Sequence, residues 1–295
     1  MDRTDLEIFT RLVNNPLRSD ESLGREVGLT GKAVRLRRQR MESEGALTEY
    51  GIHPHPGLLG RHAVSRAYVG EDGARPTVAG LSRVEDLVYV RSFRPTFHIA
   101  VRFSESPDAP EDPRMARMLG RPLEGPLEVE MPSPSAQGSV LTRTDWKVLE
   151  EVVRAPRASY AVQARSAGVT ARTFRRHRAT LDNAGALRCA MILNLEREVG
   201  VATYGIWLKV DSTFDPTAVE LPRLWDRPHW TTSPRGVYLL GSADSYFEAR
   251  ELELRLRSMR GVLSADPLLP SGGFFLRARL LGWIHAERER RWPTS

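Results

Sequence analysis

Five cations crowd one short stretch of this chain. Lys32, Arg35, Arg37, Arg38 and Arg40 lie in TGKAVRLRRQRMESEGAL, residues 30–47, and no acid falls between Lys32 and Arg40. Such a density of fixed positive charge suits a phosphate-lined partner, since each phosphate neutralised on a duplex releases condensed counterions. Arginine adds sequence reading, because its donor fork matches guanine O6 and N7 in the major groove. The stretch then recurs 140 residues on as TARTFRRHRATLDNAGAL, residues 170–187. Arg172, Arg175, Arg176 and Arg178 carry the charge there. Positions near a helix N-terminus enter a groove best. Lys32, Arg35, Arg172 and Arg175 are therefore the expected groove contacts, with Arg176 beside them. Thr30 and Thr170 are placed to reach phosphate, and Arg38 is included as a structural or phosphate-directed cation.

Other chemistries find little support. His53, His55 and His62 cluster, and His98 sits on an expected strand, but no Glu or Cys stands at ligand spacing. No Gly-rich phosphate loop, nucleophile elbow or H-E-x-x-H is present. The expectation is a protein with no metal, no cofactor and no catalytic residues. The single cysteine, Cys189, excludes an internal disulfide, and no apolar run is long enough for a membrane span. The N-terminus shows no basic-then-apolar leader, so a cytoplasmic protein without a membrane partner is expected. A net charge of +6 permits an anionic partner. Trp225, Trp230 and Trp283 read as core or interface residues rather than platforms for single-stranded nucleic acid.

The elements that hold the basic stretches are legible by period and punctuation. Thr30 is a cap, Val34 and Met41 form an apolar seam, and Gly45 is a stop. Upstream, Thr4 with Glu7 suggests a capping box opening a helix over 4–14, and Leu23 and Val27 face inward from a short helix over 19–27. Gly28-Leu29-Thr30 is then the turn of a helix-turn-helix, with Thr48 to Ile52 as its wing. His53 to Gly57 reads as a stiff linker. Residues 58–131 follow the order βαββαβ, with a turn at Arg94-Pro95. Pro132 to Gly138 lies in a linker over 132–140. The pattern then restarts: helices over 144–153, 159–167 and 170–184, strands over 201–210, 236–240 and 262–268, helices over 216–224 and 248–259, and a terminal helix over 276–290. Arg3-Thr4-Asp5 repeats as Arg143-Thr144-Asp145, and Pro16, Ser19 and Gly28 repeat as Pro156, Ser159 and Gly168. An ungapped self-match of this length points to an internal duplication. The expected class is α+β: winged helix-turn-helix units over 1–52 and 141–190, each followed by a ferredoxin-like domain, over 58–131 and 198–295.

This order resembles the leucine-responsive/asparagine regulator (Lrp/AsnC) family. Its pattern is matched by Asp5 and Asp145, by the Gly-Leu-Thr turn, by V…RxR…G-A-L, and by Gly241 and Asp244 in VYLLGSADSYF. The resemblance implies a sequence-specific regulator of transcription that binds double-stranded DNA. It also implies a small-molecule effector, by family default an amino acid, at Gly241 and Asp244. In the first half VYVRSFRPTFHIAV lacks the Gly-x-x-Asp pattern. Family proteins pair to present two recognition units, so a homodimer is expected, and one duplicated chain could meet two unequal half-sites. The alternative is an enzyme on the same architecture, like the sirohaem decarboxylases, which use histidines and arginines on a tetrapyrrole.

Overall fold

The computed structural model describes residues 2–70, 76–123, 127–128, 141–195, 202–215, 236–243 and 245–293. It opens with three helices, α1 (Arg3–Asn14), α2 (Asp20–Val27) and α3 (Gly31–Ser43), and the strand β1 (Leu47–Pro54). Asp2, not Thr4, caps α1: its carboxylate accepts from Asp5 N at 2.8 Å, and Asp5 returns the bond to Asp2 N. Leu6, Phe9, Leu12, Leu23, Val34 and Met41 close over one another as the core of this unit. A 3-10 turn (Pro56–Leu59) leads to β2 (His62–Val69), α4 (Val78–Leu81), β3 (Leu87–Arg94), β4 (Phe97–Ser104), α5 (Pro113–Leu119), β5 (Arg121–Pro122) and β6 (Leu127–Glu128). Three more helices follow, α6 (Arg143–Arg154), α7 (Tyr160–Ser166) and α8 (Ala171–Asn183), and then β7 (Leu187–Leu193). The chain ends with β8 (Ala202–Val210), β9 (Gly236–Ala243), α9 (Tyr246–Arg257), β10 (Val262–Phe275) and α10 (Arg277–Arg291).

Two sheets organise these elements. β1 and β7, the strands that leave the two three-helix units, pair with each other as an antiparallel ribbon. The other sheet runs β5-β2-β4-β3-β10-β8-β9, with β6 also on β2. Its first four strands, with α4 and α5 as crossovers, have the arrangement of a βαββαβ module. Of the second module expected over 198–295 the structure describes β8, β9, α9 and β10; the helix expected over 216–224 and the linker over 132–140 lie outside the described residues. β10 differs from expectation. It continues past Leu268, so that Val262–Leu268 pairs with β8 and Leu269–Phe275 pairs with β3. One long strand thereby joins β8 and β9 to β2, β3 and β4 in a single sheet.

The largest core lies where the ribbon, α6 and α10 meet the open face of this sheet. Ile52, Tyr89, Phe103, Trp146, Leu149, Phe174, Phe275 and Ile284 are buried together there. The approach is close enough to require a glycine. A Cβ on Gly51 would stand 2.3 Å from Ala190 O and 2.8 Å from Phe275 Cδ2. Gly51→Ala is expected to lower unfolding free energy by about 1–3 kcal/mol, the range for overpacking a filled site. Gly282→Ala on α10, where nothing lies within 4 Å, is the matched control. Its denaturation midpoint should be unchanged or higher, because alanine favours helix.

Candidate nucleic-acid interface

Each basic helix is aimed by the same local devices. Gly28 and Gly168 take left-handed backbone, φ 71° and 68°, which turns the chain sharply after α2 and α7. Thr30 and Thr170 then cap the next helix, accepting from Ala33 N at 3.2 Å and Thr173 N at 3.1 Å. Val34 and Met41 in α3, and Phe174 and Leu181 in α8, are fully buried. Burying that seam leaves 32, 35 and 36, and likewise 172, 175 and 176, on the outside.

The cations of α3 are not free in the way their sequence suggests. Arg37 donates to Asp2 at 2.6 Å and to Asp5 at 2.8 Å, and Arg40 also reaches Asp5. Arg38, only 11% exposed, donates from Nε to Asp20 at 3.0 Å and from Nη1 to Glu42 at 2.6 Å. Arg35 remains 54% exposed but leans on Asp20 at 3.5 Å and Glu21 at 3.8 Å. Burial would push the Asp20 carboxyl up, yet the arginines gathered on it hold it below the usual aspartate range. The Arg38 guanidinium, expected to be structural or phosphate-directed, is thus largely buried in an ion-pair group with Asp20 and Glu42. Lys32 is exposed and has no partner among the described residues.

α8 is different. His177 stands where α3 has Arg37 and pairs with Asp145 at 2.7 Å; Arg178 is buried against Asp182 at 3.0 Å. The positions of Asp20 and Glu21 are occupied by Tyr160 and Ala161. Arg175 consequently lies over the Tyr160 ring, 5.7 Å from its centroid, instead of against carboxylates. Arg172 is exposed without a partner among the described residues, and exposed Arg176 touches only His177, at 3.3 Å.

Sequence reasoning missed Arg157, which sits in the turn after α6. It donates to Pro16 O at 2.9 Å, to Arg18 O at 2.6 Å and to Asp20 at 2.8 Å, and so clamps the second helical unit onto the first. Nothing local marks it, since its partners are about 140 positions away.

The histidines also depart from expectation. His53 and Pro54 belong to β1, not to a linker, and the His53 ring is buried against Phe103 at 5.3 Å. His98 is buried on β4, its Nδ1 3.0 Å from Ser92 Oγ. Burial holds both rings neutral, down at about 4. No three His, Cys, Asp or Glu side chains among the described residues gather as a metal site. Trp283 stacks on Phe103 and beneath Arg61, while Trp225 and Trp230 lie outside the described residues. Gly241 lies on β9 opposite Tyr204, and Asp244 is outside the described residues. No helix among the described residues is long and apolar enough to cross a membrane.

No curated protein matches the chain. Among solved structures, the siroheme decarboxylase NirDL is similar over 98% of this chain and 99% of its own, at 11% identity and a TM-score of 0.43. A transcriptional regulator from Neisseria meningitidis in complex with L-Met is similar over 44% of this chain and 89% of its own, at 18% identity and a TM-score of 0.32. AsnC of E. coli is similar over 44% of this chain and 92% of its own, at 15% identity and a TM-score of 0.30. The expectation that the chain is no enzyme is corrected by the first of these: a structure similar along nearly the whole length is that of an enzyme, so the exclusion of catalysis does not stand. The family model of the AsnC-type helix-turn-helix domain matches residues 1–42, which are α1, α2 and nearly all of α3. Residues 1–42 are an AsnC-type helix-turn-helix domain.

Proposed function

We propose that this chain is a transcription regulator that binds double-stranded DNA through α3 and α8. The observation that carries the reading is the outer face of α8. Arg172, Arg175 and Arg176 stand exposed behind a capped N-terminus, with no carboxylate partner among the described residues. Three exposed charges without carboxylate partners among the described residues gain most from an external polyanion. Thr30, Lys32, Arg35 and Thr170 complete the proposed contact set, together with an amino-acid effector at Gly241 and Asp244.

We further infer that the two helical units arose by internal duplication and act as a dimer within one chain. The register of the ribbon supports this. Tyr50 pairs with Met191 and Gly51 with Ala190; Glu49 pairs with Ile192 and Ile52 with Cys189. Subtracting 140 from the second member of each pair interchanges its partners, so 50 meets the counterpart of 51 and 51 the counterpart of 50. That reciprocity is the mark of an isologous interface between two like surfaces. Two such chains would form the expected homodimer, which sedimentation measures directly.

The test is binding of the full chain to genomic duplex fragments across a salt series. Four neutralised phosphates would give log K against log salt a slope of about −3 to −4, with one fragment class retained preferentially. A preparation that retains no duplex at low salt, and carries a bound tetrapyrrole chromophore, overturns the reading.

A further inference from the structure

We propose that the two recognition helices read chemically different half-sites. α8 takes a guanine-bearing half and supplies most of the electrostatic affinity; α3 takes a thymine-bearing half through Leu36 and Lys32. This rests on the regulator reading above and adds the chemistry of the DNA that each unit accepts.

The two units differ in charge balance. Residues 2–46 and 142–186 each contain nine lysines and arginines, but the first set has eight acids and the second four. Three acids with no acidic counterpart in the second set, Asp2, Asp20 and Glu21, close on the arginines of α3, and Glu42 joins them. The corresponding positions hold Thr142, Tyr160, Ala161 and Asp182, and of these only Asp182 binds a cation of α8, the buried Arg178. A phosphate approaching α3 meets, Lys32 apart, cations already balanced by neighbouring carboxylates, whereas one approaching α8 meets Arg172, Arg175 and Arg176, which have no carboxylate partner among the described residues.

Two side chains one turn apart stand at the mouth of each helix. On α8 they are Arg172 and Arg176, both exposed and both able to fork onto guanine O6 and N7. On α3 they are Lys32 and Leu36. Leu36 is 58% exposed, a large aliphatic group standing among charges on a helix whose core seam is already complete without it. An apolar side chain in the major groove has one partner there, the C5-methyl of thymine. The two helices also belong to one covalent chain. Two separate identical subunits impose a palindrome on their site, but the halves of one chain have diverged at 36 and 176 and are under no such constraint.

The full chain would be used to select duplexes from a library with a randomised core, and the recovered duplex measured by fluorescence anisotropy. The expected site has unlike halves. Replacing thymine by deoxyuridine, which removes only the methyl, should weaken binding a few-fold when made in one half, and Leu36→Ala should erase that loss. Arg172→Ala with Arg176→Ala should weaken binding about a hundredfold, since a forked arginine–guanine contact is worth roughly tenfold or more, and should flatten the salt dependence. Lys32→Ala should cost only a few-fold. A palindromic site, or equal losses from the α3 and α8 variants in a tightly binding chain, overturns this proposal and leaves the regulator reading intact. A wild-type chain that retains no duplex overturns both. The deoxyuridine arm needs no variant, so it stands even if a substitution disturbs folding.

Discussion

Taking the protein from neutral pH down to about 4.5 is expected to remove up to about 3 kcal/mol of stability through His53 alone. Its ring packs among Phe103, Tyr89 and Phe275, and Nδ1 faces Pro54 O at 2.9 Å and so must donate a proton to it. That bond alone favours the protonated ring, and the surroundings outweigh it. Burial is the main reason the ring resists a second proton, and the charges of Arg188 on β7 and Arg91 on β3 act in the same sense, with His55 beside them. Its pKa falls from 6.5 to about 4. Between those values the unfolded chain binds more protons than the folded one, so stability is complete above about 6.5 and is lost as pH falls toward 4. At 1.36 kcal/mol per unit the whole window is worth about 3 kcal/mol. His98, lowered likewise to about 4 by burial, adds in the same direction. Chemical denaturation at a series of pH values measures the slope. His53→Phe keeps an aromatic ring among the other three and should reduce the slope to the part that His98 contributes. A wild-type curve that is level from 7 to 4.5 would refute the buried neutral ring.

The sequence stretches that proved legible are those whose structure is decided locally. Helix starts follow from a hydroxyl three residues before a backbone N–H, as at Thr30 and Thr170. Helix ends follow from left-handed glycines, as at Gly28, Gly45 and Gly168. The strand pair around Arg94-Pro95 follows from alternation and a turn. What could not be read is what distant segments do to one another. No local pattern announces that Tyr50 will lie beside Met191, or that β10 will run on from β8 to β3. The so-called linker at His53 became strand because a partner strand 135 positions away, at Arg188, was waiting for it.

The candidate site shows the same division. Which residues face outward on α3 and α8 was set by the apolar seam and could be counted off. Which of them are available to a ligand was not, because the carboxylates that occupy Arg37, Arg38 and Arg40 come from α1, α2 and the far end of α3. A run without acids between Lys32 and Arg40 therefore looked more open than it is. The contrast between the units was nevertheless present in the sequence, in the replacement of Asp20-Glu21 by Tyr160-Ala161. Its meaning needed the knowledge that α2 lies against the base of α3.

Asp20→Asn is expected to be the most damaging single change in the first unit, costing about 3–5 kcal/mol. The carboxylate is 8% exposed and meets three guanidinium groups: Arg157 at 2.8 Å, Arg38 at 3.0 Å and Arg35 at 3.5 Å. Arg38 and Arg157 are themselves largely covered, and Glu42 alone then balances Arg38. Deleting the shared anion strands buried positive charge, which is far more costly than replacing a whole ion pair by apolar groups. The loss should appear as earlier melting of α1, α2 and α3, because Arg157 still holds Pro16 O and Arg18 O across the junction. Hydrogen exchange would place the weakening in residues 2–46 and leave α6, with its own core around Trp146, protected. Arg35 would at the same time lose its nearer carboxylate. Non-specific duplex binding by the folded fraction should therefore rise, although the protein is less stable. Asp20→Asn with Arg157→Ala should recover part of the stability, since one uncompensated cation is gone. If the single variant unfolds no earlier than wild type, the three arginines do not depend on Asp20, and the clamp between the helical units is held by the backbone carbonyls alone.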